Sequence, residues 1–127
     1  MRLKSININY GEQFFKALAD QARIRILYLL YQNKELTISD FEHILEFTQT
    51  KTARHVTYLK NSGLVSSRKH QQWVFYFIKD ENMDIISQFF NFLKNDPMLA
   101  NDERVFKTLN SNRELSVNKL EKKTWSL

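Results

Sequence analysis

Thr50, Lys51 and Arg54 lie within five residues of one another, and on a helical wheel they share one face while Thr52, Ala53, Val56 and Leu59 share the other. No carboxylate or thiol stands near them, so they cannot build a hydrolytic pair or a thiolate metal site. They can donate hydrogen bonds and positive charge. Arginine takes guanine bidentately, lysine pairs with phosphate, and threonine meets a thymine methyl or a phosphate oxygen. Gln49 precedes them at the helix start, where it reads adenine or holds a phosphate through its backbone N–H. His55 sits at the edge between the two faces, so packing is as open to it as a phosphate contact. Tyr58 either touches phosphate through its hydroxyl or covers apolar surface beside Leu59.

These residues belong to a block of unusual charge. From Thr48 to Lys79 the chain has no Asp or Glu and six Lys or Arg; the stretch before it is balanced and the stretch after it has one excess acid. The whole net charge of +5 is therefore concentrated in one quarter of the protein. Scattered charge serves solubility equally well, whereas a local acid-free block suits a surface that faces phosphates and displaces their counterions. Arg68, Lys69 and His70 extend the block and suit a minor groove or its phosphates. Lys60 is a phosphate contact at long range or none.

Composition excludes several alternatives. The chain has 127 residues, 43% of them hydrophobic, with ten Phe, five Tyr and two Trp, enough for one domain with a modest core. No Cys is present, which removes disulfides, thiolate metal sites and cysteine nucleophiles. There is no phosphate loop, no G-x-S-x-G and no carboxylate cluster, so an enzyme is not expected. Asp40 and His43 have ligand spacing but lack companions, and neither a metal nor a cofactor is expected. No apolar run is long enough for a signal peptide or a membrane span, so a cytoplasmic protein without membrane association is expected.

The elements that must position the basic face are legible in the spacing. A first helix is predicted over residues 10–19 and a second over 21–32, with Asp20 as N-cap and Ile24, Leu27, Leu30 and Tyr31 as its buried stripe. Thr37 and Asp40 approach a capping box for a short third helix ending near Glu46. Thr48 caps a fourth over roughly 49–62, and Gly63 stands where a left-handed C-terminal cap is wanted. LVSSRK and WVFYFI read as strands, with residues 68–72 as a basic hairpin tip. Three helices, a basic recognition helix and a two-stranded wing make a winged helix-turn-helix, mainly α with a small β-hairpin. Residues 83–93 are densely apolar, and the stripe Ile86, Phe89, Phe90 and Leu93 is predicted to seek a partner subunit, with intrachain core as the rival reading. After Asp96-Pro97 the tail is polar, with an amphipathic piece around Val105, Phe106 and Leu109. This divides the chain into a DNA-binding and dimerisation domain, 1–95, and a partly helical C-terminal extension, 96–127.

Taken together, FKALADQARIRILYLL and TQTKTARHVTYLKNSGLVSSRKHQQWVFYF resemble the ArsR-type bacterial winged-helix repressors over residues 14–78. The likeness rests on the Leu-Ala-Asp-x-x-Arg approach at Leu18 to Arg23, on Arg25-Ile26-Leu27, on Gln49, on Arg54-His55, on Leu59, and on the Gly63-Leu64-Val65 entry to the wing. It implies a homodimer with the first and last helices at the interface, adding Phe14 and Phe15 to the stripe. It also implies a double-stranded operator of two-fold symmetry and repression of transcription. Metal-sensing members carry a Cys pair where this chain has Thr37 and Ser39, or Asp, His and Glu on the last helix, where residues 83–94 hold Asp84 and no His. The effector is thus left open. The wing-tip Gly of the family is missing, with Gln72 near its position, which predicts a longer or looser wing loop, and Ala53 replaces a common Ser. A protein-interaction module binding an acidic partner is the alternative reading. Against it, the exposed side chains of the fourth helix are short polar and cationic groups rather than the aromatic anchors of a protein hot spot.

Overall fold

The computed structural model of the chain describes residues 6–120; Trp125, whose aromatic ring in a polar tail suggests an occasional docking contact, lies outside them. Among the described residues the order is α1 (Ile8–Leu18), α2 (Gln21–Asn33), β1 (Glu35–Leu36), α3 (Ile38–Leu45), α4 (Gln49–Asn61), β2 (Val65–His70), β3 (Trp73–Ile78), α5 (Met83–Phe92) and α6 (Pro97–Ser111), with 3-10 turns at Asp80–Asn82 and Ser116–Lys119. The architecture is a winged helix-turn-helix.

Five of the six helices among the described residues begin where a side chain satisfies the first free N–H groups; α5 follows its 3-10 turn without such a cap. Asn7, Asp20, Thr48 and Asp96 cap α1, α2, α4 and α6. At α3 the capping box closes both ways, with Thr37 accepting from the Asp40 N–H and Asp40 accepting from the Thr37 N–H, each at 3.1 Å. Helix α4 ends in a Schellman motif: the Gly63 N–H reaches the Lys60 carbonyl and the Leu64 N–H reaches that of Leu59. Gly63 has φ +86 and open space where a Cβ would stand, so glycine is favoured there by the backbone angle and not by crowding.

Helix α2 runs through the middle of the fold, touching α1, α4, α5, α6 and the sheet. That explains a departure from the predicted stripe. Ile26 and Leu29 are buried together with Leu27 and Leu30, because a helix covered on several sides needs apolar residues beyond one face. Ile24 and Tyr31 are only half-buried.

The wing is part of a three-stranded antiparallel sheet ordered β1-β3-β2. The two residues of β1 pair with Phe77 and Tyr76 of β3 and were not foreseen, since two residues carry no period. The predicted long tip is also corrected. Strand pairing runs unbroken from Val65–Ile78 to His70–Trp73, so Arg68, Lys69 and His70 lie within β2 and the turn is Gln71-Gln72 alone. A two-residue hairpin turn requires positive φ, and Gln71 supplies it at +56 without glycine. The local cost, about 1–2 kcal/mol, is offset by the ladder it closes.

The segment after Pro97 shares the core of the residues before it. Leu99 and Leu115 are 5% and 0% exposed within the same apolar cluster as α2 and α3. Ser116 donates its backbone N–H to Asp40 at 2.6 Å, and its hydroxyl bonds that of Thr37 at 2.9 Å. The C-terminal segment is thereby fastened to the first turn of α3.

Candidate nucleic-acid interface

Thr48 accepts the Lys51 N–H at 3.1 Å and starts α4 with Gln49, Thr50 and Lys51 exposed in its first turn. Thr52, Val56 and Leu59 anchor the opposite side, each no more than 1% exposed. Arg54, Tyr58 and Asn61 are exposed with the first group, so the structure assembles five of the predicted contact residues, Gln49, Thr50, Lys51, Arg54 and Tyr58, along one helix surface. The Lys51 ammonium lies 4.1 Å from the centre of the Phe47 ring, which steadies it at the helix entrance.

His55 is different. It is 5% exposed and closed in by charged groups from two helices. Its Nδ1 is 3.4 Å from an Arg23 guanidinium nitrogen, and its Nε2 is 3.4 Å from one of Arg54 and 3.9 Å from an Asp20 carboxylate oxygen. Burial lowers the imidazole pKa, and Arg54, Arg23 and Lys51 press it the same way against the pull of Asp20. A neutral His55 therefore packs beneath the cationic face and does not add charge to it. Burial alone would raise the pKa of Asp20, but the N–H groups of Ala22 and Arg23, with His55 and Arg23 beside it, bring it below the ordinary value.

Two residues that composition and spacing did not mark complete this region. Arg23 lays its guanidinium 4.1 Å from the Tyr58 ring centre and donates to the carbonyls of Ala17 at 2.7 Å and Lys16 at 2.9 Å. Glu35 of β1 takes a two-pronged bond from Arg68, 2.8 Å on each prong, across the face of β3. The block that is acid-free in sequence is thus partly neutralised in space, and the pKa of Arg68 is raised by that bond. Lys69 remains exposed on β2, His70 is half-buried opposite Trp73, and the Lys60 ammonium bonds the Ser67 hydroxyl at 3.0 Å. No sequence period joins Glu35 to Arg68 or Arg23 to Tyr58; the Leu18–Arg23 motif marked Arg23 without its partner.

The predicted interface residues divide. Phe14, Ile86 and Phe90 are 2%, 1% and 5% exposed inside the protomer's own core, which leaves them little surface to offer a partner. Phe89 and Leu93 are half-buried, and Phe89 meets Phe14 edge to face at 6.5 Å. Phe15, by contrast, is 64% exposed, and Phe92, which is not part of the stripe, is 84% exposed. Asp40 spends its two oxygens on the N–H groups of Thr37 and Ser116, and no cluster of three or more His, Cys, Asp or Glu occurs among the described residues.

Comparison with known proteins places this geometry. A family model described as bacterial regulatory protein, arsR family, matches residues 20–67, from the N-cap of α2 into β2. The chain is 37% identical over 81 residues to the arsenical resistance operon repressor of Bacillus subtilis, covering 64% of this chain and 77% of the relative. It is 37% identical over 67 residues to the arsenic resistance transcriptional regulator ArsR1 of Pseudomonas putida, covering 53% of this chain and 52% of the relative, so it spans about half of that protein's length. Among solved structures, HlyU of Vibrio cholerae superposes with a TM-score of 0.61 at 28% identity, over 70% of this chain and 98% of HlyU. The chain belongs to the arsR family of bacterial regulatory proteins.

Proposed function

We propose that the protein is a sequence-specific DNA-binding transcriptional regulator that acts as a homodimer on an inverted-repeat operator, most simply as a repressor. The observation that carries this reading is the α4 surface: Gln49, Thr50, Lys51 and Arg54 stand exposed together at the N-terminal half of the helix with no acidic residue in that helix. That half is the part of a recognition helix that enters the major groove. Lys69 and the hairpin turn then reach the flanking backbone or minor groove, while Arg68, held by Glu35, stiffens the wing more than it adds charge.

Two recognition helices must enter grooves about one turn apart, which calls for a two-fold assembly. The exposed Phe15 of α1 and Phe92 of α5 are the large aromatic groups that a second copy would cover. Repression as the direction of control follows the Bacillus relative's name. A soft metal or metalloid effector finds no thiolate ligand in this chain, which has no Cys, and the Thr37 hydroxyl is engaged with Ser116 and the Asp40 N–H.

The test is selection from a random pool of 40-base-pair duplexes at near-physiological salt. Enrichment of an inverted repeat with half-sites about one turn apart is expected. Retention with no enriched sequence would reject a specific regulator and favour a non-specific or protein-binding role for the basic face.

A further inference from the structure

Arg23 connects three things that no other described side chain brings together. Its Nε and one terminal nitrogen donate to the Ala17 and Lys16 carbonyls at 2.7 and 2.9 Å, satisfying the last turn of α1 where free carbonyls gather and the helix dipole is negative. Its other terminal nitrogen lies 3.4 Å from His55, and its flat face lies 4.1 Å from the centre of the Tyr58 ring. His55 and Tyr58 are three residues apart on α4 and so form one surface for the guanidinium to rest on. The side chain is only 13% exposed. Lysine could not reproduce this, because one ammonium cannot fork to two carbonyls and also stack.

We infer that Arg23 is a positioning residue for DNA recognition: by gripping the end of α1 and two residues of α4 at once, it sets the offset between the recognition helix and the helix that faces the second protomer. This rests on the DNA-binding and homodimer reading above. In a two-fold dimer any change in the offset of α4 is doubled in the separation of the two recognition helices. DNA is strict about that separation, since one base pair advances the duplex by about 3.4 Å and a half-site must meet each helix on the same face. Arg23 therefore sets where α4 stands.

The experiment is the 40-base-pair pool selection run on the full-length wild type, Arg23→Lys and Arg23→Gln, with the dimer confirmed by sedimentation. The wild type is expected to enrich one centre-to-centre spacing of half-sites. The variants are expected to keep the half-site sequence, to accept spacings at least one base pair to either side, and to bind the wild-type consensus about tenfold more weakly. If Arg23→Gln loosens α1, Arg23→Lys carries the test, since it keeps the charge and one bond to the α1 carbonyls. A folded, dimeric Arg23→Lys that keeps the single spacing and the wild-type affinity overturns the role of Arg23 alone. A wild type that enriches no repeat overturns the DNA-binding reading instead. A stability defect with no change in spacing would show a purely structural residue.

Discussion

Arg25 of α2 holds Asp102 of α6 through two parallel hydrogen bonds, Nε to Oδ2 at 2.8 Å and a terminal nitrogen to Oδ1 at 2.9 Å. The Asp102 side chain is 2% exposed, whereas the Arg25 side chain is 22% exposed and rests near the Phe47 ring. The hydrogen bond to Asp102 outweighs burial and raises the pKa of Arg25. Asn33, about two turns further along α2, donates to Glu103, the residue after Asp102, at 2.8 Å. Together with the Asp40–Ser116 contact, these bonds make the C-terminal segment a clamp across α2 and α3.

Removing the carboxylate should therefore loosen the whole fold. Asp102→Ala is expected to cost about 2–3 kcal/mol, somewhat below a fully buried pair because Arg25 keeps some contact with water. Urea unfolding measures this. Pairing Arg25→Met with Asp102→Leu should recover much of the loss, since an apolar pair leaves no buried charge unpartnered. No loss in Asp102→Ala would mean that the pair with Arg25 adds nothing to the hold that Leu99 already gives α6.

Arg54 and Lys69 should fail in different ways. Arg54→Ala is expected to weaken specific binding by roughly 1–3 kcal/mol and to bring the selected duplex closer to a scrambled one, with the melting temperature unchanged. Lys69→Ala should weaken both duplexes alike and reduce the salt slope by about one ion. Affinity titrations at several salt concentrations separate the two. An unchanged specificity ratio in Arg54→Ala would remove it from the base-reading set.

His55 predicts the pH dependence of folding. Its folded pKa lies below the unfolded value of about 6.5, so the folded state binds fewer protons than the unfolded chain below neutrality. Its contribution is fully present above about pH 6.5 and is lost as pH falls from there through the folded value, at up to about 1.4 kcal/mol per unit. The facing charges are Asp20 and Arg23 from α2 and Lys51 and Arg54 from α4, three cations against one anion. Urea titrations between pH 5 and 8 should show His55→Gln gaining on the wild type as pH falls. A wild type that gains instead would mean that the pairing with Asp20 dominates.

Phe90 and Phe92 of α5 should separate folding from assembly. Phe92→Ser removes an 84% exposed ring and is expected to weaken dimerisation while leaving protomer stability within about 0.5 kcal/mol. Phe90→Ala empties a position that is 5% exposed and packs on Tyr28 and Tyr31, at an expected cost of about 3–5 kcal/mol. Sedimentation velocity and urea unfolding read the two effects. An intact dimer in both Phe92→Ser and Phe15→Ser would move the interface elsewhere.

Much of this protein is carried by signals that act within a few residues. Caps at Asp20, Thr37 and Thr48, the positive φ at Gly63 and the 3.6-residue period of α4 are local, and each appears in the structure where its residue types predicted it. The exposed cationic face of α4 was legible for the same reason, because a helix of known phase sorts its own side chains into in and out.

Contacts between distant segments decided the rest. The apolar density of residues 83–93 could not say which rings the protomer keeps, since period alone does not reveal what packs opposite; Phe14 claimed Phe89, the α2 tyrosines claimed Phe90, and Phe92 was left outside. A polar tail became a clamp because Asp102 and Ser116 found Arg25 and Asp40, 77 and 76 residues away. The basic block acquired an acid from β1, and the recognition helix acquired Arg23 as its support, by the same route. By itself the sequence determined the helices, the wing and the charge that faces outward, because those follow from local backbone preference and side-chain period. Only the tertiary structure decided which charges are neutralised, which aromatics stay exposed and how α4 is held, because ion pairs and packing depend on distance in space.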